Sequence, residues 1–278
     1  MMAFSGSQVV LVLCVLSSAG VHAAEQSTAE AVALPRAHAH NDYRHPRPLH
    51  DALDHGFCSV EADVFLVDAK LLVGHDRSEL TPERTLQALY LDPLRRRIKQ
   101  NGGRVYRGGP TFTLLIDIKS DAEKTYAALR DVLIRYRDLL TRVRDGAPKA
   151  GAVTVVISGN RPQATIVADS PRYAAIDGRL SDLDTDMPSH LMPLISDRWG
   201  SHFSWYGSGL MPEQQRKKLK AIVARAHGAG RRVRFWATPE KTAVWKELHA
   251  AGVDLINTDD LDGLQRFLLQ PAVREKGR

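Results

Sequence analysis

Between Cys58 and Phe65 the chain alternates strictly. Ser59, Glu61, Asp63 and Phe65 fall on one face of a strand, and Cys58, Val60, Ala62 and Val64 on the other. The second face is wholly apolar and must be packed, so Glu61 and Asp63 project together into whatever the strand lines. Two like charges roughly 6 Å apart repel by about 3 kcal/mol at an effective dielectric of about 20. A cation relieves that cost.

The same patterning, read along the chain, alternates strands with helices. Strands are expected at Pro35–His40, Cys58–Leu66, Phe112–Lys119, Val153–Ser158, Ala174–Asp177, Pro193–Ser196, Arg232–Ala237 and Val253–Thr258, with a hairpin return at Lys70–Gly74. Helices are expected at Pro48–His55, from Pro82 to about Gln100, Asp121–Val143, Arg161–Ala168, weakly at Leu183–Leu191, then Glu213–Ala229, Lys241–Ala251 and Leu261–Leu269. Eight strands, each followed by a helical segment, is the count of a (β/α)8 TIM barrel, an α/β fold of roughly 250 residues. Several strands are near-continuous apolar runs, as strands buried on both faces should be. The segment Trp199–Gly209, rich in Gly, Ser and aromatic residues, is long enough to be a lid.

Composition agrees with one domain able to bury a full core: 278 residues, 44% hydrophobic. The first 24 residues read as a secretory leader, with an apolar run Val9–Leu16 and small residues around Ala23, although no Lys or Arg precedes the run. That run is shorter than the roughly 20 residues needed to span a bilayer. A linker at 25–34, a barrel at 35–270 and a tail at 271–278 complete the expected organisation, and the product is expected to be exported, periplasmic or secreted. Cys14 lies in the leader, so the mature chain keeps only Cys58 and forms no intramolecular disulfide. Cys58 sits on the apolar face and reads as a small core residue.

The net charge of +6 and the pI near 9.4 raise the question of nucleic acid. The basic clusters Arg95–Arg97 and Arg216–Lys218 fall in helical stretches with apolar partners and no interleaved aromatics, so they read as solvated helix faces. No nucleic-acid partner is expected. A basic surface still concentrates anionic substrates.

In a TIM barrel the chemistry sits at the C-terminal ends of the strands. Those ends here carry His38 and His40, Glu61 and Asp63, Asp117 and Lys119, Ser158-Gly159-Asn160, Ser196-Asp197-Arg198, Trp236 and Asn257-Thr258-Asp259. His75-Asp76 follows the hairpin. Each residue also has a plain structural reading. Glu61, Asp63 and Asp117 are also able to pair with Arg or Lys of neighbouring strands. His38 orients the first loop, Asp76 caps its own, Asp259 and Asp260 cap the last helix, and Trp236 either packs or serves as a substrate platform. The joint pattern at three successive strand ends, with histidine on both sides, favours a site.

The spacing His40-Asn41, Glu61-x-Asp63, His75-Asp76, Asp117-x-Lys119 resembles the phospholipase C-like phosphodiesterase superfamily, which includes the glycerophosphodiester phosphodiesterases. His40-Asn41-Asp42-Tyr43 and Glu61-Ala62-Asp63-Val64 are most similar to its "altered inheritance of mitochondria protein 6" branch, and Gly252–Asp259 to the closing segment of glycerophosphodiesterases. The resemblance implies a barrel, one divalent cation (Ca2+ or Mg2+) and two histidines acting as general acid and base on a phosphodiester. It assigns catalysis to His40 and His75 and the metal to Glu61, Asp63 and Asp117. Asp117 stands where glycerophosphodiesterases have glutamate. Asn41 replaces the arginine of their His-Arg-Gly motif and is similar to the asparagine that reaches calcium in eukaryotic phosphoinositide phospholipases C. Lys119 is read as a positive charge for a nonbridging oxygen, with Trp236 beside it on the substrate side. The implied substrate is a small-molecule or lipid-headgroup phosphodiester.

Two other readings stay open. His38-x-His40 after a first barrel strand also resembles the zinc amidohydrolases, but the fifth and sixth strand ends, Asp177 and Ser196-Asp197, lack the imidazoles that chemistry uses. A non-catalytic barrel that binds an anionic ligand is the other.

Overall fold

Eight strands hydrogen-bond side by side into a closed parallel barrel in the computed structural model, which describes residues 1–2 and 31–271. Most of the expected leader, of the linker and of the tail lies outside the described residues. The staves are β1 (Leu34–Ala39), β2 (Phe57–Val67), β4 (Phe112–Ile118), β7 (Val153–Gly159), β8 (Ala174–Gly178), β9 (Leu194–Arg198), β10 (Arg232–Trp236) and β11 (Leu255–Thr258). β1 pairs with both β11 and β2, which closes the ring. β3 (Lys70–Val73) runs antiparallel to β2 as an outward hairpin, Val64 opposite Val73.

Period-two alternation sorts each stave into an outer and an inner face. Val60, Ala62, Val64, Leu114, Ile116 and Ile118 face outward into the main hydrophobic layer beneath the helices. Leu115, Val156, Ala175, Leu194 and Leu255 form a separate inner cluster. They plug the barrel with an apolar floor, as the filled interior of this fold requires. Below them Arg232 reaches Thr113 Oγ1 at 3.0 Å. Above them the inner face turns polar, and the chemistry sits there.

The helices are α1 (His50–Asp54), α2 (Asp92–Gln100), α3 (Ala122–Arg135), α4 (Gln163–Ala168), α5 (Trp199–His202), α6 (Glu213–Gly228), α7 (Thr242–Ala251) and α8 (Leu261–Leu269). Three expectations need correction. The helix expected from Asp121 to Val143 ends at Arg135, and a hairpin follows, β5 (Arg142–Arg144) and β6 (Ala147–Lys149). Asp145-Gly146, both at positive φ, make its two-residue turn, the strongest short hairpin signal in any sequence. Leu183–Leu191 holds only the end of a 3-10 turn at Leu180–Asp184, because Pro188 in its middle lacks the backbone donor a longer helix needs. Pro82 does not open a helix either: helical structure starts at Gln87 as a π turn and becomes α2 at Asp92.

The Trp199–Gly209 segment is no free lid. Trp199, Phe203 and Trp205 are buried, Trp199 stacks on Phe203 with centroids 4.2 Å apart, and both indole N–H groups donate to backbone carbonyls. Cys58 is buried and free, and burial pushes its thiol up to about 12.

Candidate active site

The first turn after β1 is built by its own side chains. Asn41 adopts a left-handed conformation at φ 46, which asparagine tolerates and which turns the chain over the barrel mouth. Asp42 is fully buried and its Oδ2 accepts the Leu49 backbone amide at 2.6 Å, tying the turn to α1. Burial pushes its carboxyl up to about 7, against the pull of that amide. The Asp of His40-Asn41-Asp42-Tyr43 is therefore a brace for the turn. Tyr43 is the residue that reaches the site, its hydroxyl 2.7 Å from both Asp63 Oδ2 and Asn41 Oδ1.

Glu61, Asp63 and Asp117 converge as the alternation predicts. β2 and β4 pair with Asp63 opposite Asp117, and one oxygen from each of the three carboxylates lies within 4.8 Å of the others. Among the described residues no imidazole or thiolate joins this cluster. An all-oxygen set suits a hard cation rather than zinc, which removes the main support for an amidohydrolase site. His38 does not form a metal pair with His40. It is fully buried, with Nδ1 2.7 Å from Ser59 Oγ and Nε2 3.5 Å from Glu61 Oε2. Burial and the charge of Arg234 push it down to about 3, so it is a neutral strut whose Nε2–H faces the carboxylate.

Two cations already share the cluster. Arg234, on β10, crosses the lumen and places Nη2 2.7 Å from Glu61 Oε2, while its Nε donates to Asn257 Oδ1 at 2.9 Å. Lys119 Nζ stands 3.1 Å from Asp63 Oδ2 and 3.2 Å from Asp117 Oδ1. Burial alone would raise the Glu61 carboxyl, but Arg234 and His38 outweigh it and hold the group well below the usual carboxylate range. Asp63 is raised, by burial and then by the Glu61 charge. Burial pushes Asp117 up to about 6 despite Lys119. Among the described residues Asp63 Oδ1 is buried with no hydrogen-bond partner, an acceptor that an oxygen-seeking cation would satisfy.

Both histidines line one cavity of about 210 Å³, together with Asn41, Glu61, Asp117, Lys119, Ser158, Arg179, Arg234 and Trp236. His40 Nδ1 lies 2.8 Å from Asp259 Oδ1 and 2.9 Å from Asn41 Nδ2. A carboxylate only accepts, so the Asp259 contact puts the proton on Nδ1 and turns the Asn41 amide toward Asp259. Burial lowers His40, but the Asp259 hydrogen bond and the Glu61 charge outweigh it and leave the imidazole above its ordinary range. His75 Nδ1 sits 3.1 Å from Asp63 Oδ2 and from the Tyr43 hydroxyl, and its backbone amide donates to Glu79 Oε2 at 2.7 Å.

Every sequence-predicted site residue thus borders one cavity or, for Asp63, contacts Lys119 and His75, which do. The motif spacing does not announce Arg234 and Arg179, which line the cavity, or Tyr43, which donates to Asp63. Arg234 shares the inward face of β10 with Arg232 and Trp236, and that alternation is the signal that points to it. Asp259 was expected as a helix cap. Only Asp260 caps α8, accepting from Gly263 N at 2.8 Å, and Asp259 serves His40 instead. Asp76 makes no side-chain cap, a task that Glu79 performs for the His75 loop.

Residues 26–176 match the AIM6-like phosphodiesterase domain, and residues 232–262 match the glycerophosphoryl diester phosphodiesterase family. An altered inheritance of mitochondria protein 6 homolog from Arthroderma benhamiae is 34% identical along a 264-residue alignment covering 83% of this chain and 82% of that protein. Altered inheritance of mitochondria protein 6 from Eremothecium gossypii is 32% identical, covering 89% of this chain and 73% of that protein. Among solved structures, the glycerophosphodiester phosphodiesterase of Parabacteroides distasonis superposes with a TM-score of 0.51 at 16% identity, covering 85% of this chain and 98% of that one. That of Agrobacterium tumefaciens gives 0.50 at 17%, covering 87% and 100%. At those identities the likeness establishes the shared barrel. The family match over more than half the chain and the relatives above 30% identity establish the rest: this chain belongs to the AIM6-like phosphodiesterase family.

Proposed function

We propose that this protein is a divalent-metal-dependent phosphodiesterase in which His40 and His75 exchange protons with a phosphodiester. One observation carries the reading, the charge balance of the cluster. Glu61, Asp63 and Asp117 bring three negative charges, and Arg234 and Lys119 return two. A divalent ion leaves the site at +1, which matches the single negative charge of a phosphodiester. Glu61, Asp63 and Asp117 would hold the ion, with Asn41 at its edge, and Ca2+ or Mg2+ fits the oxygen donors. When bound, such an ion neutralises charge that develops on the phosphoryl oxygens.

The chain's own groups do the remaining work. Asp259 fixes the Nδ1 proton of His40 and leaves Nε2 to face the cavity. Asp63 and Tyr43 fix Nδ1 of His75 in the same way. One imidazole takes a proton from water or a substrate hydroxyl while the other protonates the departing oxygen, each transfer contributing about 10²- to 10⁴-fold. Lys119 offers a further positive charge to a nonbridging oxygen, and Trp236 walls the substrate side. A small molecule or a lipid headgroup bearing one diester is the substrate class that fits such a cavity. The apolar run at Val9–Leu16 supports export, which intact-mass measurement of the protein recovered outside the cytoplasm would test.

The experiment is hydrolysis of bis(p-nitrophenyl) phosphate and of glycerophosphodiesters by purified protein, before and after chelation, with His40→Ala alongside. Turnover lost on chelation, restored by Ca2+ or Mg2+ and absent in His40→Ala is the expected result. A folded protein with no metal-dependent turnover on any of them would favour the anion-binding barrel.

A further inference from the structure

One wall of the cavity is used neither by the proton transfers nor by the carboxylate cluster. β4, β7 and β8 pair in register, so that Asp117 stands opposite Ser158 and Ser158 donates to Asp177 Oδ2 at 2.8 Å. Neighbouring staves lie about 4.8 Å apart, which puts Asp177 roughly 10 Å from Asp117. Arg179 folds back over Asp177. Its Nη1 donates to Asp177 Oδ2 at 2.9 Å and to the Gly178 carbonyl at 3.0 Å, whereas among the described residues its Nη2 has only Ser158 Oγ, at 3.5 Å.

All three cations that line the cavity are paired with carboxylates, Lys119 with Asp63 and Asp117, Arg234 with Glu61 and Arg179 with Asp177, but Arg234 is nearly inaccessible. Arg179 keeps a terminal nitrogen for a ligand, and its side chain is 27% exposed. Behind it, Arg161 donates to the Asp177 carbonyl and makes no ion pair among the described residues, and its Nε is buried without a hydrogen-bond partner. Burial and the adjacent Arg179 charge hold the Arg161 guanidinium below its usual range. The next acidic group, Asp182, already accepts the Arg179 backbone amide at 2.7 Å. An anion against Nη2 relieves the repulsion between two guanidinium groups, of which only Arg179 is paired with a carboxylate, Asp177.

We propose that Arg179, backed by Arg161, forms a second anion subsite in the cavity, so that the diester cleaved here bears an additional carboxylate or phosphomonoester a few bonds from the scissile phosphate. The proposal rests on the phosphodiesterase reading and names its substrate class. With the scissile phosphate balanced at the carboxylate cluster, the second charge has its own partner two staves away.

The test uses three glycerophosphodiesters whose second alcohol is propanol, 4-hydroxybutyrate or 3-hydroxypropyl phosphate, with products followed by phosphorus NMR. Wild-type protein should favour one or both charged diesters over the propyl diester by about 10-fold or more in kcat/KM. The carboxylate and phosphate arms tell which anion the subsite takes. Arg179→Gln should bring that preference to within about twofold, and Arg179→Lys should keep part of it. No preference in the wild type, or one that survives Arg179→Gln, would overturn the subsite. Hydrolysis of none of the three would sink the phosphodiesterase reading instead, and calorimetry then decides the subsite separately. Propane-1,3-diyl bisphosphate should bind wild type about 10-fold more tightly than propyl phosphate, with the difference lost in Arg179→Gln. Equal affinities in the wild type would refute it.

Discussion

The imidazole of His40 and the carboxylate of Asp259, 219 residues apart in sequence, meet at 2.8 Å between Nδ1 and Oδ1. β1 and β11 are the first and last staves, and closing the barrel brings them together with Ala39 opposite Thr258. The contact fixes which nitrogen of His40 faces the cavity. Asp259→Asn should therefore lower kcat by about 10²-fold through misorientation of the ring. It should also move the His40 limb of the pH–rate profile to lower pH, because the Asp259 hydrogen bond is among the groups that raise this imidazole. An unshifted limb would show that Asp259 matters only for folding.

Arg234 and Glu61 form an ion pair across the lumen, and both are nearly inaccessible. Removing one partner strands a buried charge. Arg234→Met should cost about 3–5 kcal/mol of stability in metal-free protein by chemical denaturation, and Glu61→Gln added to it should recover part of that loss. Additive losses in the double variant would mean that the pair is not coupled.

Asp42 predicts a pH-dependent stability. Its carboxyl goes from an ordinary value of 3.8 to about 7 in the folded protein. The folded state thus binds more protons than the unfolded one between those values. Its favourable contribution is full below the lower value and is lost as pH rises through the upper one. The change amounts to up to about 4 kcal/mol. Asp42→Asn should flatten the fall in stability between pH 4 and 8, measured by urea unfolding, and a slope equal to wild type would contradict the assignment.

Cys58 should resist alkylation. With its thiol buried and raised to about 12, iodoacetamide should leave it unmodified in native protein and label it only after denaturation, as peptide mass spectrometry would report. Labelling of native Cys58 would contradict its placement in the core.

The staves were legible because strands buried on both faces leave long branched runs, and the carboxylate cluster because Glu61-x-Asp63 and Asp117-x-Lys119 place charge on a face that should be apolar. What escaped is pairing across the lumen. Nothing near Arg234 in sequence announces Glu61, since the partner is chosen by barrel closure. Asp259 looked like a cap because Asp260 beside it is one. Tyr43 was hidden by its place in a turn whose geometry depends on left-handed Asn41. The helix after Asp121 stops short of Val143 because Asp145-Gly146 turns a hairpin there, a signal present in the letters alone.

The convergence of Glu61, Asp63 and Asp117 on one ion is tested most directly by calorimetric titration of metal-stripped protein with Mg2+ and with Ca2+, wild type beside Asp63→Asn. One site per chain for at least one of the two ions, weakened by 10-fold or more in Asp63→Asn, is the expected outcome. Absence of binding in the wild type, or affinity unchanged by the substitution, would contradict it.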